Sequence, residues 1–491
     1  MVLSRRAALQ SSTAGLVLTS FGCGGKSKPS TVGDLASMDA VATAQAIKSG
    51  EISAVESINA AIERAEKLNP QINAIVTAYY NAARERAAAG ADGAWFGVPS
   101  FIKDLNKVTG QRTTYGSRAF ANYVAPDQSE LVDAIFSNGI ISLGKSSSPE
   151  FGLTATTESQ LQGATRNPWN LEHSAGGSSG GAAALVAAGV TPIAHASDGG
   201  GSIRIPASSC GVVGLKPSRG RMPRPDAPAG RPLTIAQHGV ESRTVRDTAA
   251  FLALIETDGK LEPVGLVSEP SRQRRRIKFF TNSPTGHDVH QDVITETQRV
   301  GQMLADLGHD VEEIRSPFDA AVLQDFTVYW GSGAARAVKS WEDATGLKAD
   351  YNAFEPWTFG IIDFYESRAH TLDIAVERLL SFAGYYEGIF ADTDLILSPV
   401  IAQPPPKIGY LDSRHSFPLA FERLSEIVCF TQFMNVSGAP AISLPTGMSS
   451  DGLPIGAQLA AATGNERTIL EVAYELEEAM PWRDRKPAVS A

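Results

Sequence analysis

Gly176-Gly177-Ser178-Ser179-Gly180-Gly181, followed by Asp198-Gly199-Gly200-Gly201-Ser202-Ile203-Arg204-Ile205-Pro206-Ala207, is the stretch on which the reading of this chain turns. Between the two glycine clusters lies a short apolar run, Val190-Thr191-Pro192-Ile193-Ala194, and upstream lies another, Ile140-Ile141-Ser142-Leu143. Residues 97 to 250 as a whole are rich in Gly, Ser, Thr and Ala. Short buried strands alternating with helices predict an α/β core. Further out, a strand near Ile277–Phe280 and a helix near Asp292–Leu307 repeat the pattern. Residues 318 to 390 read as mainly helical and aromatic-rich, 394 to 399 and 441 to 445 as strands, and 465 to 479 as a final helix. On the N-terminal side, Ala40, Ala44 and Ile47 share one helical face. Val55, Ile58, Ile62 and Ala65 share a face on a second helix, split from the first near Gly50. Asn69-Pro70 is the expected stop of that second helix. With no internal repeat and no linker after residue 35, residues 36 to 491 are expected to form one large domain.

The chain is acidic, with a formal net charge of −10, which disfavours nucleic acid as a partner. The basic run Arg272, Arg274, Arg275, Arg276 reads as a solvated surface segment. Three cysteines, Cys23, Cys210 and Cys429, give neither a disulfide framework nor a zinc spacing. Eight scattered histidines form no metal-binding motif, so neither metal nor cofactor is expected. At the start, Arg5-Arg6 precedes a mildly apolar stretch ending at Gly22-Cys23. The pattern resembles a twin-arginine export leader with a lipoprotein-like box at Cys23. Residues 1 to 35 are therefore expected to be leader and tether, with export and a lipid anchor at Cys23 the expected consequence.

Ser202 follows three glycines, a setting in which backbone N–H groups can converge on one point. Converging donors are what a developing oxyanion needs, and a serine beside them is a candidate nucleophile. It requires a base. His195 lies seven positions upstream without an evident acidic partner. Lys103, in Gly97-Val98-Pro99-Ser100-Phe101-Ile102-Lys103-Asp104, is the alternative, provided burial lowers its pKa. Ser178 would pass the proton between Ser202 and Lys103.

These segments resemble the amidase signature family. Its lysine motif is matched at Gly97–Asp104, its Gly-Gly-Ser-Ser-Gly-Gly at Gly176–Gly181 and its nucleophile motif at Asp198–Pro206. The similarity extends to Gly214-Leu215-Lys216-Pro217, Arg243–Asp247 and Asn435-Val436-Ser437-Gly438. Residues 163–171, 202–221 and 441–458 are similar to the 6-aminohexanoate cyclic-dimer hydrolases of that family. The resemblance implies an α/β fold with a large mixed β-sheet covered by helices on both faces. It implies amide hydrolysis on a triad of Ser202, a cis-peptide Ser178 and Lys103. The oxyanion donors would be the backbone of Gly199, Gly200, Gly201 and Ser202, with no cofactor. The substrate would be a small amide, linear or cyclic, an ω-amino-acid oligomer among the options. Specificity would lie in residues 318 to 430. The assembly state is left open, a homodimer included.

Rival readings are weaker. Ser178 also fits a Gly-x-Ser-x-Gly elbow, but Glu172-His173-Ser174-Ala175 lacks the buried strand an elbow requires. Ser100-x-x-Lys103 fits the Ser-x-x-Lys of penicillin-binding proteins, but no Lys-Thr-Gly follows. An exported solute-binding lipoprotein would have no need of a Ser-Ser-Lys set. Arg204 is expected to hold nearby backbone or carboxylate groups in a structural role, Trp169 to serve packing, Cys210 to be a small core residue, and Asp104 to hydrogen-bond in the lysine loop or simply make a turn.

Overall fold

The computed structural model describes residues 32–224, 232–257, 259 and 261–491. The leader features at Arg5, Arg6 and Cys23 lie outside the described residues.

Alternate residues of the strands point into different cores, as a sheet covered on both faces demands. Eleven strands matter: β1 (Ile75–Ala78), β2 (Pro99–Lys103), β3 (Ile141–Ser146), β4 (Ile193–Asp198), β5 (Val213–Lys216), β6 (Gln237–Ser242), β7 (Arg276–Phe279), β8 (Asp310–Glu313), β9 (Leu395–Pro399), β10 (Ala441–Met448) and β11 (Pro454–Ala460). The main sheet runs β8-β7-β9-β11-β10-β5-β6-β4. It is mixed: β7 pairs in parallel with β8 and β9, and the remaining ladders are antiparallel. A three-stranded sheet, β1-β3-β2, packs beside β4.

Leu395, Leu397, Ile442 and Leu459 face one core, which they share with helices Val245–Ile255, Gln291–Asp306 and Glu466–Ala479. Ile396, Ala441 and Ala460 face the other side. There the aromatic-rich segment folds as α1 (Ala321–Thr345), α2 (Pro356–Glu366) and α3 (Leu372–Ile389). Ala194 and Ala196 of β4 face a third cluster, with the helix Gly180–Ala187 and Ala207. The expected two-faced α/β architecture is the observed one.

Three expectations need correction. Asn69-Pro70 does not stop its helix, which runs Ala54–Ile72 and ends on a left-handed Asn73. Proline so near a C-terminus removes only one ladder bond. The Asn69 side chain accepts from Ala74 N at 2.8 Å and Ile75 N at 2.9 Å, holding the exit instead. The first helix begins at Val32, inside the expected tether, and packs on the helix Ala54–Ile72. The arginine run is not simply solvated. Arg274 pairs with Glu475, Arg275 with Glu471 at 2.9 Å and Arg276 with Asp394 at 3.1 Å, tying β7 to the final helix and to β9.

Candidate active site

Three loops converge at the end of β4. Lys103 closes β2 and is fully buried. Its Nζ donates to Ser178 Oγ at 2.8 Å, Ser179 Oγ at 2.7 Å, Ser197 Oγ at 3.1 Å and Ser197 O at 3.2 Å. All four acceptors are neutral. Burial lowers the lysine to about 7, while the charges of Asp198 and Glu241 pull the other way. A lysine with that value exchanges its proton near neutrality, as a general base must.

Ser178 follows a cis peptide bond from Gly177, in agreement with the cis-serine expectation. Its loop runs directly into the helix Gly180–Ala187, and Ser179 N donates to Ser202 O at 3.3 Å, so the loops of Ser178 and Ser202 lie side by side.

The Ser202 loop is stapled from beneath. Asp198 Oδ1 accepts from Gly201 N at 2.7 Å, and Asp198 Oδ2 from Ile203 N at 3.2 Å. Arg204 grips the same carboxylate twice, at 2.9 Å each, and reaches Gln458 Oε1 at 2.7 Å and Asn435 Oδ1 at 2.8 Å. Asn435 Nδ2 returns a bond to Asp198 O at 2.9 Å. Burial alone would raise the Asp198 carboxyl, but the Arg204 guanidinium outweighs it and holds the group far below the usual carboxylate range. From the other side, Thr431 Oγ1 donates to Gly200 O at 2.6 Å. Gly201 has φ +128°, which an L side chain rarely adopts. Its N–H is committed to Asp198, which departs from its expected part as an oxyanion donor.

His195 is not available as a base. Lys103 N donates to His195 Nδ1 at 3.3 Å, and His195 Nε2 meets His238 Nδ1 at 3.2 Å. Burial, then the neighbouring His238, Lys103 and Lys145 charges, keep its imidazole well below the usual range. Ser100 is buried on β2 and its hydroxyl donates to Phe101 O at 3.4 Å, while the Lys103 ammonium turns to Ser178, Ser179 and Ser197. The strand before Gly176, Asn170–Ser174, belongs to a two-stranded, half-exposed hairpin, unlike the buried strand of a nucleophile elbow. Asp104 accepts from Thr114 N and Thr114 Oγ1, bracing the lysine loop, and burial pushes its carboxyl up to about 6. Arg204 is the structural clamp it was expected to be. Trp169 caps Cys210 O at 2.7 Å, and Cys210 is a core residue whose thiol burial pushes up.

Ser202, Gly200 and Gly177 form the floor of a cavity of about 620 Å³. Its walls are largely apolar and come mostly from residues 320 to 432, including Phe326, Trp357, Phe364 and Leu424. Ser179, Ser197, Thr431 and Gln458 were not foreseen. Ser179 sits inside the quoted glycine motif. The others hold their place through tertiary pairing and leave no local pattern.

A buried lysine bonded to a loop serine, beside a second serine on a glycine loop, is the arrangement of a histidine-free serine hydrolase. The model of the Amidase family matches residues 56–470, and the chain belongs to that family. It is 43% identical over 454 residues to a protein designated AmiC in Mycobacterium tuberculosis (strain ATCC 25618 / H37Rv), covering 91% of this chain and 96% of that one. It is 36% identical to a 6-aminohexanoate-cyclic-dimer hydrolase of Paenarthrobacter ureafaciens, over 91% of this chain and 96% of that one. Among solved structures, a 6-aminohexanoate cyclic dimer hydrolase complexed with substrate superposes with a TM-score of 0.85 at 33% identity, covering 93% of this chain and 100% of that one.

Proposed function

We propose that this chain hydrolyses a carboxylic acid amide through an acyl-enzyme. Neutral Lys103 takes a proton from Ser178, which takes one from Ser202, and Ser202 Oγ attacks the amide carbon. Backbone N–H groups of Gly199, Gly200 and Ser202 receive the oxyanion. The protonated lysine returns the proton through Ser178 to the nitrogen, the C–N bond breaks and the amine leaves. Water then attacks the ester by the same relay, releasing the acid and freeing Ser202.

The observation that carries this reading is the fully buried Lys103, whose Nζ lies 2.8 Å from Ser178 Oγ and bonds only neutral acceptors. Similarity to the cyclic-dimer hydrolases, together with an apolar cavity, supports an ω-amino-acid amide, linear or cyclic, as substrate. Purified enzyme incubated with cyclic and linear ω-amino-acid amides, peptide amides and fatty acyl amides should release acid and amine from at least one class, read by mass spectrometry. Ser202→Ala should abolish turnover in a protein that still melts cooperatively. A fluorophosphonate label recovered on Ser178 or Ser100 instead would overturn the assignment.

The leader supports a second element of the proposal, that the protein is exported and anchored at Cys23. Replacing Arg5 and Arg6 with lysine should trap precursor inside the cell. Wild type recovered in the cytoplasmic fraction with its N-terminus intact would refute export.

A further inference from the structure

Two aromatic rings stand on the loop that carries Ser202. Phe326 and Trp330 lie four residues apart on α1, so their side chains share one helix face. Their rings are stacked, 5.5 Å between centroids and 17° between planes. Both line the cavity that opens on Ser202. A Cβ placed on Gly199 would fall 2.7 Å from Cη2 and 2.9 Å from Cζ3 of Trp330, and one on Gly200 would fall 3.0 Å from Cζ of Phe326. Neither glycine has a left-handed φ, unlike Gly201. An alanine backbone therefore fits at 199, and what excludes the methyl group is the indole. Glycine at 199 is a matter of space, and Trp330 fills that space.

This contact puts an aromatic surface against the first two residues of the loop expected to hold the substrate's carbonyl oxygen. A group attached to that carbonyl must pass beside it. The same cavity is lined by the apolar Trp357, Ile361 and Leu424, with Thr327, Gln432 and the Asp325–Arg378 pair also on its walls. The apolar share of that lining favours an arm that buries apolar surface there.

We propose that Trp330, seated on Gly199 and stacked on Phe326, is the specificity-determining wall of the acyl site, and that it selects amides whose scissile carbonyl carries an extended apolar arm over those with a short one. The inference rests on the reading of Ser202 as nucleophile. Gly199 and Trp330 then act as one unit: a side chain at 199 displaces the ring or the oxyanion loop, and removing the ring makes room for the side chain.

The test is a double-mutant cycle read by the rate at which alkyl fluorophosphonates label Ser202, with an n-hexyl and a methyl reagent. Labelling forms the Ser202 Oγ–P bond and expels fluoride, so it reports on the acyl site whatever amine the natural substrate carries. The wild type should prefer the hexyl reagent. Trp330→Ala should slow hexyl labelling at least tenfold, with a loss on the methyl reagent at least fivefold smaller. Gly199→Ala should slow both at least tenfold, and adding Trp330→Ala to it should recover methyl labelling at least tenfold. Trp330→Leu, which keeps more of the helix packing, should reproduce the hexyl loss if the alanine variant melts early. Gly199→Ala labelled at wild-type rates, or a strictly additive double variant, overturns the wall. A wild type labelled at Ser202 that cleaves no amide sinks the amidase reading, while the cycle still decides the wall. No labelling of Ser202 by either reagent overturns both.

Discussion

At the scale of the residue, the chemistry rests on one proton. Above about pH 7 Lys103 is largely neutral in the folded protein and can accept the proton of Ser178; below it, burial no longer prevents protonation and the base is lost. The kcat/KM profile should therefore rise through pH 7 and level off on the alkaline side. A profile that falls between pH 6 and 8 would contradict a lysine base. Lys103→Arg should cost on the order of 10²–10⁴-fold, the usual worth of a general base, because guanidinium does not deprotonate. Ser100→Ala should retain most activity, since that hydroxyl only meets Phe101 O. Lys103, Ser178 and Ser202 were legible because each sits in a long motif. The commitment of the Gly201 N–H was not legible, because a glycine run shows where donors can converge but not that the Asp198 side chain folds back to occupy one of them.

At the scale of the element, the strand–loop–helix of the nucleophile is held from outside itself. The Asp198–Arg204 pair is completely buried and is closed by Asn435 and Gln458, more than 230 positions away in sequence. Asp198→Asn keeps the shape but leaves the Arg204 guanidinium without its counter-charge. Removing one partner of such a pair destabilises by about 3–5 kcal/mol. The same change weakens the clamp on Gly201 and Ile203, so kcat should fall more than KM rises. Thermal denaturation and steady-state kinetics of the variant check both, and a stable enzyme with only KM altered would show the staple to be dispensable. The motif Asn435-Val436-Ser437-Gly438 was visible in the sequence, but its function was not, because only the folded sheet brings it under Ser202. The helix end at Asn69-Pro70 failed for a related reason. Proline reads as a stop, yet near a C-terminus it forfeits one bond, and the Asn69 carboxamide supplies two others to the exit.

At the scale of the molecule, the alternation of apolar runs made the layered fold legible, but strand order was not. The last hairpin, β10 and β11, fills the middle of the sheet between β9 and β5, so the centre is completed by the C-terminal segment and no local pattern could say so. That architecture buries Lys103 completely, and the burial that makes it a base also weighs against the fold. An unfolded lysine keeps its proton up to its ordinary value of 10.5, whereas the folded one releases it at about 7. Between those two values the unfolded chain binds more protons, so stability gained from this site rises with pH, by about 1.4 kcal/mol per unit at most. Below pH 7 both states are protonated and the folded protein carries the full penalty of a buried charge. Lys103→Met removes the titration and leaves every other group in place. Denaturant unfolding of the two proteins from pH 7 to 10 should then show wild type gaining on Lys103→Met by about 1 kcal/mol for each pH unit. Ionisable groups away from Lys103 contribute alike to both and drop out of the difference, while His195, His238 and Glu241, which feel its charge, add a smaller coupled part. A gap that stays constant over this range would mean that Lys103 holds its proton throughout, and the base of the reaction would have to be found elsewhere.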